Sequence, residues 1–191
     1  MTPSEITTTL QSLFNNAVQV AEPESWQVEG EEFRLLVLLS EDQSWLRALV
    51  TIAPAQSAEP YLQQLLEANF DETQEVRYAL FQGLLWGVYQ HALASLTLED
   101  FQQAILRLVE LHQRGLSSSF NQLAEIQIRQ IIRAAKLQGQ SLETTMQTLG
   151  RFYEEGVMGD IDDNEQSRGQ VLEAWRYQLE RLWHEEEPDQ N

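Results

Sequence analysis

The sequence predicts an α+β fold in which helices pack on an antiparallel sheet and a region of helices alone follows. Three observations carry this prediction. Short segments rich in β-branched and aromatic residues cluster between residues 25 and 91, amphipathic helical patterns flank and interrupt them, and from Ser117 onward only helical periodicity remains.

Pro3 and Ser4 precede Ile6, Leu10, Leu13, Phe14, Ala17 and Val18, whose three- and four-residue spacings place apolar side chains on one helical face. Pro23 and Glu24 end that pattern. Residues 25–29, 32–39 and 45–52 then read as a β-meander, with Trp26, Val28, Phe33, Val37, Trp45, Val50 and Ile52 as strand formers and joints at Gly30 and residues 40–44. Pro54 closes this part of the sheet. Residues 59–70 carry Tyr61, Leu62, Leu65, Leu66 and Phe70 at helical spacing, so a second helix is expected there.

After the polar break at residues 71–74, Val76, Tyr78 and Leu80, the Gln82–Gly83 joint and the run 84–91 form a predicted hairpin. Thr97 and Asp100 resemble a capping box, although Asp is a weaker third member than Glu. They open a helix carrying Phe101, Ile105, Leu108, Val109 and Leu111, which Gly115 closes.

Three helical segments follow. Phe120, Leu123, Ile128, Ile131, Ile132 and Ala135 mark the first, residues 141–153 form the second, and Val171, Leu172, Trp175, Leu179, Leu182 and Trp183 mark the third. Gly156, Gly159 and a run of carboxylates make the stretch before the third segment a solvated loop. The expected organisation is an α+β domain over residues 1–115, a helical extension over 116–187 and an acidic tail over 188–191.

Composition narrows the function classes. Thirty acidic against twelve basic residues give a formal charge of -18, which repels nucleic acid phosphates and anionic lipid headgroups. Neither nucleic acid binding nor membrane insertion is expected, and the longest apolar runs fall far short of the about 20 residues a membrane-spanning helix needs. Lys136 is the one lysine among those twelve; the other cations are arginines, suited to planar, bidentate pairing. There is no Cys, so disulfides, thiolate nucleophiles and Cys-based metal sites are excluded. No basic amino-terminal region with an apolar core suggests export, and a cytoplasmic location is the expectation.

The segment LLEANF at residues 65–70, the hairpin after it and TLEDFQQAILRLVEL at residues 97–111 together resemble the class I type III secretion chaperones of the CesT/Tir-chaperone family. LLEANF is similar to the Leu-Leu-x-x-Asn-apolar end of that family's middle helix, and the YbjN-type proteins share the fold. The resemblance covers about three fifths of the chain. It implies an acidic, non-enzymatic, homodimeric protein that holds an extended client segment on apolar grooves and strand edges. Two features depart from the pattern: the hairpin joint is reduced to Gly83 with a further Gly87 inside the strand, and the helical extension is additional.

Asp160, Asp162 and Asn164 begin like a calcium loop, but Glu165 replaces the glycine at position six and Val171 the glutamate at position twelve. His91, His112 and His184 lack the spacing that puts two ligands on one helical turn. No phosphate loop, nucleophile elbow or dinucleotide fingerprint occurs. The sequence reading is therefore a non-enzymatic, cofactor-free chaperone-like or adaptor protein that binds a protein client. A YbjN-type regulator acting on a folded partner through its helices is the alternative. Tyr61, Leu62, Leu65, Leu66, Phe70, Trp175 and Trp183 are the candidate contact residues. Trp175 and Trp183 lie eight residues apart on one helical face, which either packs internally or meets a partner.

Overall fold

The computed structural model describes residues 1–15, 18–21, 25–154 and 176–186. The chain divides into two compact units, Met1–Phe120 and Asn121–Asn191. In the first, helix α1 (Pro3–Phe14) is started by Thr2, whose hydroxyl accepts from the Glu5 amide while the Glu5 carboxylate accepts from the Thr2 amide. The helix stops earlier than its apolar pattern suggests. Asn15 takes a positive φ of 53°, and Val18 opens strand β1 (Val18–Ala21), which pairs with strand β2 (Ser25–Glu29). Asn tolerates that conformation better than most residues, and β-branched Val18 and Val20 suit a pleated surface.

Strands β3 (Arg34–Leu39) and β4 (Trp45–Pro54) complete the expected meander. Strands β5 (Arg77–Phe81) and β6 (Leu84–Ala92) form the expected hairpin around Gln82 and Gly83, whose φ values of 50° and 76° fit a two-residue turn with both central residues left-handed. The described strands form one antiparallel sheet in the order β1-β2-β3-β4-β6-β5. Because β6 returns beside β4, β5 is left at the edge.

One face of the sheet is the floor of the core. Trp26, Val28, Leu35, Val37, Leu46, Ala48, Val50 and Tyr89 point to it and meet Ile6 and Leu10 of α1. From above come Phe101, Ala104, Ile105, Leu108 and Leu111 of helix α4 (Leu98–Arg114). Gly87 is explained by this packing. A Cβ there would lie 3.0 Å from Val50 Cγ1 and 3.2 Å from Leu108 Cδ2, so a side chain fits only if those methyl groups shift. Thr97 caps α4 by accepting from the Asp100 amide, and Gly115, at φ 54°, closes it.

The single helix expected over residues 59–70 is instead broken into pieces: helix α2 (Ala55–Ala58), a 3₁₀ turn (Glu59–Tyr61) and helix α3 (Leu62–Ala68). Pro60 sits inside the 3₁₀ turn, where its missing N–H costs no helical hydrogen bond.

In the second unit, helix α5 (Ser117–Leu137), which begins four residues before the unit does, is followed by helix α6 (Leu142–Glu154) and by helix α7 over residues 176–183. Ile128 and Ile132 pack on Leu179 and Leu182, with Ile131, Leu142, Met146 and Trp183 around them. Charges surround this small core. Arg129 bridges Glu125, Glu185 and Glu186 at 2.8–2.9 Å, Arg133 reaches Glu186 at 2.7 Å, and Arg181 reaches Glu125 at 3.0 Å. Lys136 donates to the Trp183 carbonyl at 2.7 Å and to that of Glu186, satisfying acceptors at the end of α7. Among the described residues no helix is long and apolar enough to cross a membrane.

Candidate protein-binding surface

The joint between α3 and β5 is fixed by one side chain. Asn69, the residue after α3, donates from Nδ2 to the Tyr78 carbonyl at 3.1 Å, and its Oδ1 accepts from the Tyr78 amide at 2.7 Å. In an antiparallel pair, alternate residues turn their backbone groups away from the partner strand. Tyr78 is such a residue on β5, and the Asn69 amide occupies both of its outward-facing groups as a neighbouring strand would.

Val76, two residues earlier, is also satisfied: its amide donates to Thr73 and its carbonyl accepts from Arg77 Nη1 at 2.6 Å. Leu80 is the next position with backbone groups turned outward. The β5 edge is thus mostly closed to strand addition.

Apolar side chains stand exposed on both sides of this joint. Leu66 is 67% and Phe70 94% exposed on the α3 side, and Leu80 is 49% and Phe81 64% exposed on β5. Leu66 and Phe70 are one helical turn apart and share a face. Leu65 points the other way and is buried with Ala58 and Leu85, while Tyr61 and Leu62 are half-buried against that cluster. The Tyr61 ring also meets Phe120 edge-on, with centroids 6.4 Å apart. The five residues singled out on this segment therefore divide: Leu65, Tyr61 and Leu62 build the unit, and Leu66 and Phe70 face outward. Asn69, Leu80 and Phe81 were not singled out. Leu80 and Phe81 are adjacent and turn to opposite faces of β5, so alternation could mark only one of them as outward.

In the second unit, Trp183 is half-buried against the α5–α7 core, with Lys136 Nζ 5.2 Å from its ring centroid. Trp175 lies outside the described residues, as do Asp160, Asp162 and Asn164 of the calcium-like segment. Among the described residues no three His, Asp or Glu side chains converge as a metal-ligand set. His112 contacts the Thr51 carbonyl through Nδ1 at 2.6 Å, and His91 lies flat against Tyr89 at 6.0 Å. Burial of the Tyr89 phenol pushes its pKa up to about 12, so it stays neutral in the core.

A half-open cleft between the 72–76 turn and α4 is lined by Glu72, Thr73, Val76, Arg107, Glu110, Leu111 and Arg114, with a cavity volume of 20 Å³. That is less than the roughly 300–1,000 Å³ of a typical small-molecule site. Thr73 Oγ1 and Arg107 Nε, both without a hydrogen-bond partner among the described residues, make it a place for water.

No protein-family model matches the chain, and no curated protein matches it. Several solved structures align with part of this chain. The ExsC–ExsE complex shares 15% identity at a TM-score of 0.47, over 59% of this chain and 92% of that one. The Yersinia pestis type III secretion chaperone SycH, in complex with a fragment of YscM2, shares 13% at 0.47, over 59% and 98%. The ExoU–SpcU heterodimer of Pseudomonas aeruginosa shares 19% at 0.44, over 59% and 95%. At these identities nothing about partners or residues passes from those proteins to this chain.

Proposed function

We propose that this chain is a non-enzymatic, chaperone-like or adaptor protein of the cytoplasm that binds a protein client through the apolar surface at the α3–β5 joint. The observation that carries this reading is the exposure of Leu66, Phe70, Leu80 and Phe81 around a rigid hinge made by Asn69. Phe70, at 94% exposure, contributes almost nothing to the unit's own core, and large side chains of this kind act as anchors when a partner desolvates them.

Binding is led by side chains rather than by strand addition, because Asn69 and the 73–77 turn occupy most of the β5 edge. A second copy of the chain competes for the same surface, so homodimer formation and client capture are linked on this reading.

The alternative of a YbjN-type regulator, working on a folded partner through its helices, is favoured by the separate core of the second unit around Ile128, Ile132, Leu179 and Leu182. The two readings place the contact in different units.

The test is quantitative affinity capture from native lysate with the full chain and with the Leu66→Asp/Phe70→Asp double variant. Both side chains are exposed, so the variant keeps the wild-type thermal transition. A dominant partner lost at least tenfold in the variant supports the α3–β5 reading, whereas full retention moves the function to another surface.

A further inference from the structure

The sheet has a second face that no buried cluster of the first unit uses. Strand alternation turns Leu36, Leu49 and Val88 away from the core, and the register aligns them in one row across β3, β4 and β6. Gln27 of β2 and Arg77 of β5 continue the row at its two ends. Trp86, half-buried and turned to the same face, holds its ring over the hairpin by donating from Nε1 to the Phe81 carbonyl at 3.0 Å. Arg47 lies on this face too, its guanidinium 4.8 Å from the Trp45 ring centroid and bonded to Gln90 Oε1 at 2.7 and 3.0 Å.

The charge on this face runs against the rest of the chain. Glu29 is the one carboxylate that the described parts of β2 to β6 turn to it, and Arg34 neutralises it at 3.0 Å. In the first unit Arg34, Arg107 and Arg114 are each paired with a carboxylate, whereas Arg47 and Arg77 bond only to an amide oxygen and a backbone carbonyl. Both of these cations stand on the outer face. A chain of net charge -18 thus keeps one apolar surface almost free of acid and sets two uncompensated guanidinium groups beside it.

The geometry points to a docking surface for an acidic amphipathic helix of a partner protein. The apolar row spans two strand spacings, roughly 10 Å, about the diameter of one helix. A stripe of apolar side chains lying along β4 fits over Leu49 between Leu36 and Val88, with Trp86 beside it; a carboxylate on the β5 flank reaches Arg77 and one at the end of the stripe reaches Arg47 on β4 itself, where planar guanidinium groups favour bidentate pairing. A second copy of this face is a poor occupant, since the one carboxylate it brings, Glu29, is already paired with Arg34. Strand alternation also turns Phe81 to this face, whereas Leu80 and helix α3 lie on the core side of the sheet, and the inference does not depend on the α3–β5 joint being used.

The probe is a fluorescein-labelled synthetic helix of Leu and Ala with Glu on both flanks of its Leu stripe, compared with the same helix carrying Lys. Binding to the full-length chain is read by anisotropy at low and physiological salt. The Glu helix is expected to bind about tenfold tighter than the Lys helix, and more weakly as salt rises. Arg47→Glu with Arg77→Glu should reverse that preference at an unchanged thermal transition, while Leu66→Asp/Phe70→Asp should leave it intact. Absence of Glu-helix binding, preference for the Lys helix, or indifference to the two arginine reversals overturns the inference. So does loss of binding in the Leu66→Asp/Phe70→Asp variant, which places the helix on the other surface.

Discussion

The first unit gives its helices a broad apolar floor, and among the described residues eighteen buried side chains form one cluster between the sheet, α1 and α4. The second unit has no sheet among its described residues; α5 and α7 share four buried apolar side chains and surround them with Arg129, Arg133, Arg181, Lys136 and three glutamates. Area burial is insensitive to pH and salt, whereas ion pairs near the surface are screened and titrate. The two units should therefore respond differently to the same perturbation, and the first should remain folded under conditions that loosen the second.

The largest expected effect is in the sheet core. Phe101→Ala removes a fully buried ring and should cost about 3–5 kcal/mol, read as a fall in the main unfolding transition by calorimetry. Leu182→Ala should cost about 2–4 kcal/mol, but hydrogen exchange should quicken in α5 and α7 while β3, β4 and β6 stay protected. Uniform loss of protection across both units would contradict the contrast.

Asn69→Ala should be milder. It leaves the Tyr78 amide and carbonyl without their partner at a half-buried edge, at about 1–2 kcal/mol, and it should raise self-association by opening β5. Light scattering of the variant against wild type checks both parts.

The smallest effect is that of acid. Hydrogen bonds from Arg133 and then Arg129 hold the Glu186 carboxyl below its ordinary value. A carboxylate whose folded pKa is depressed adds stability that is fully present above the unfolded value and is lost as pH falls through the folded one. Acidification through and below the usual carboxylate range should thus loosen the α5–α7 contact first, and Glu186→Gln should reduce that pH dependence, with Glu125, held low by Arg129 and Arg181, carrying the remainder. High salt at neutral pH should act in the same direction, mainly through the more exposed pairs of Arg181 with Glu125 and Glu185.

Much of this architecture was legible in the sequence. The α+β class, three meander strands, the β5–β6 hairpin, Thr97 and Gly115 at the ends of α4 and the switch to helices after Ser117 all follow from local chemistry that the tertiary structure reinforces. The misses have physical causes. Val18 continues the apolar spacing of α1, and only the left-handed turn at Asn15, which periodicity does not register, turns it into a strand. Residues 59–70 keep helical spacing through Pro60, but the chain meets the proline with a 3₁₀ turn.

At the candidate site, spacing found the α3 segment and could not divide it, because Leu65 and Leu66 are adjacent in sequence and opposite in burial. The bracket of Asn69 on Tyr78 and the face across β2 to β6 with Glu29 as its one carboxylate were invisible for another reason. Each is set by the register between strands distant in sequence, which appears only when the strands are paired.

Hydrogen exchange of the full-length chain, alone and saturated with the partner that it captures, tests the central claim most directly. The account predicts that protection rises in residues 66–70 and 78–82, around Phe70 and Leu80, with α5 and α6 unchanged. Protection confined to α5 and α6, with the α3–β5 joint exchanging as in the free chain, would contradict it and place the partner on the helical unit.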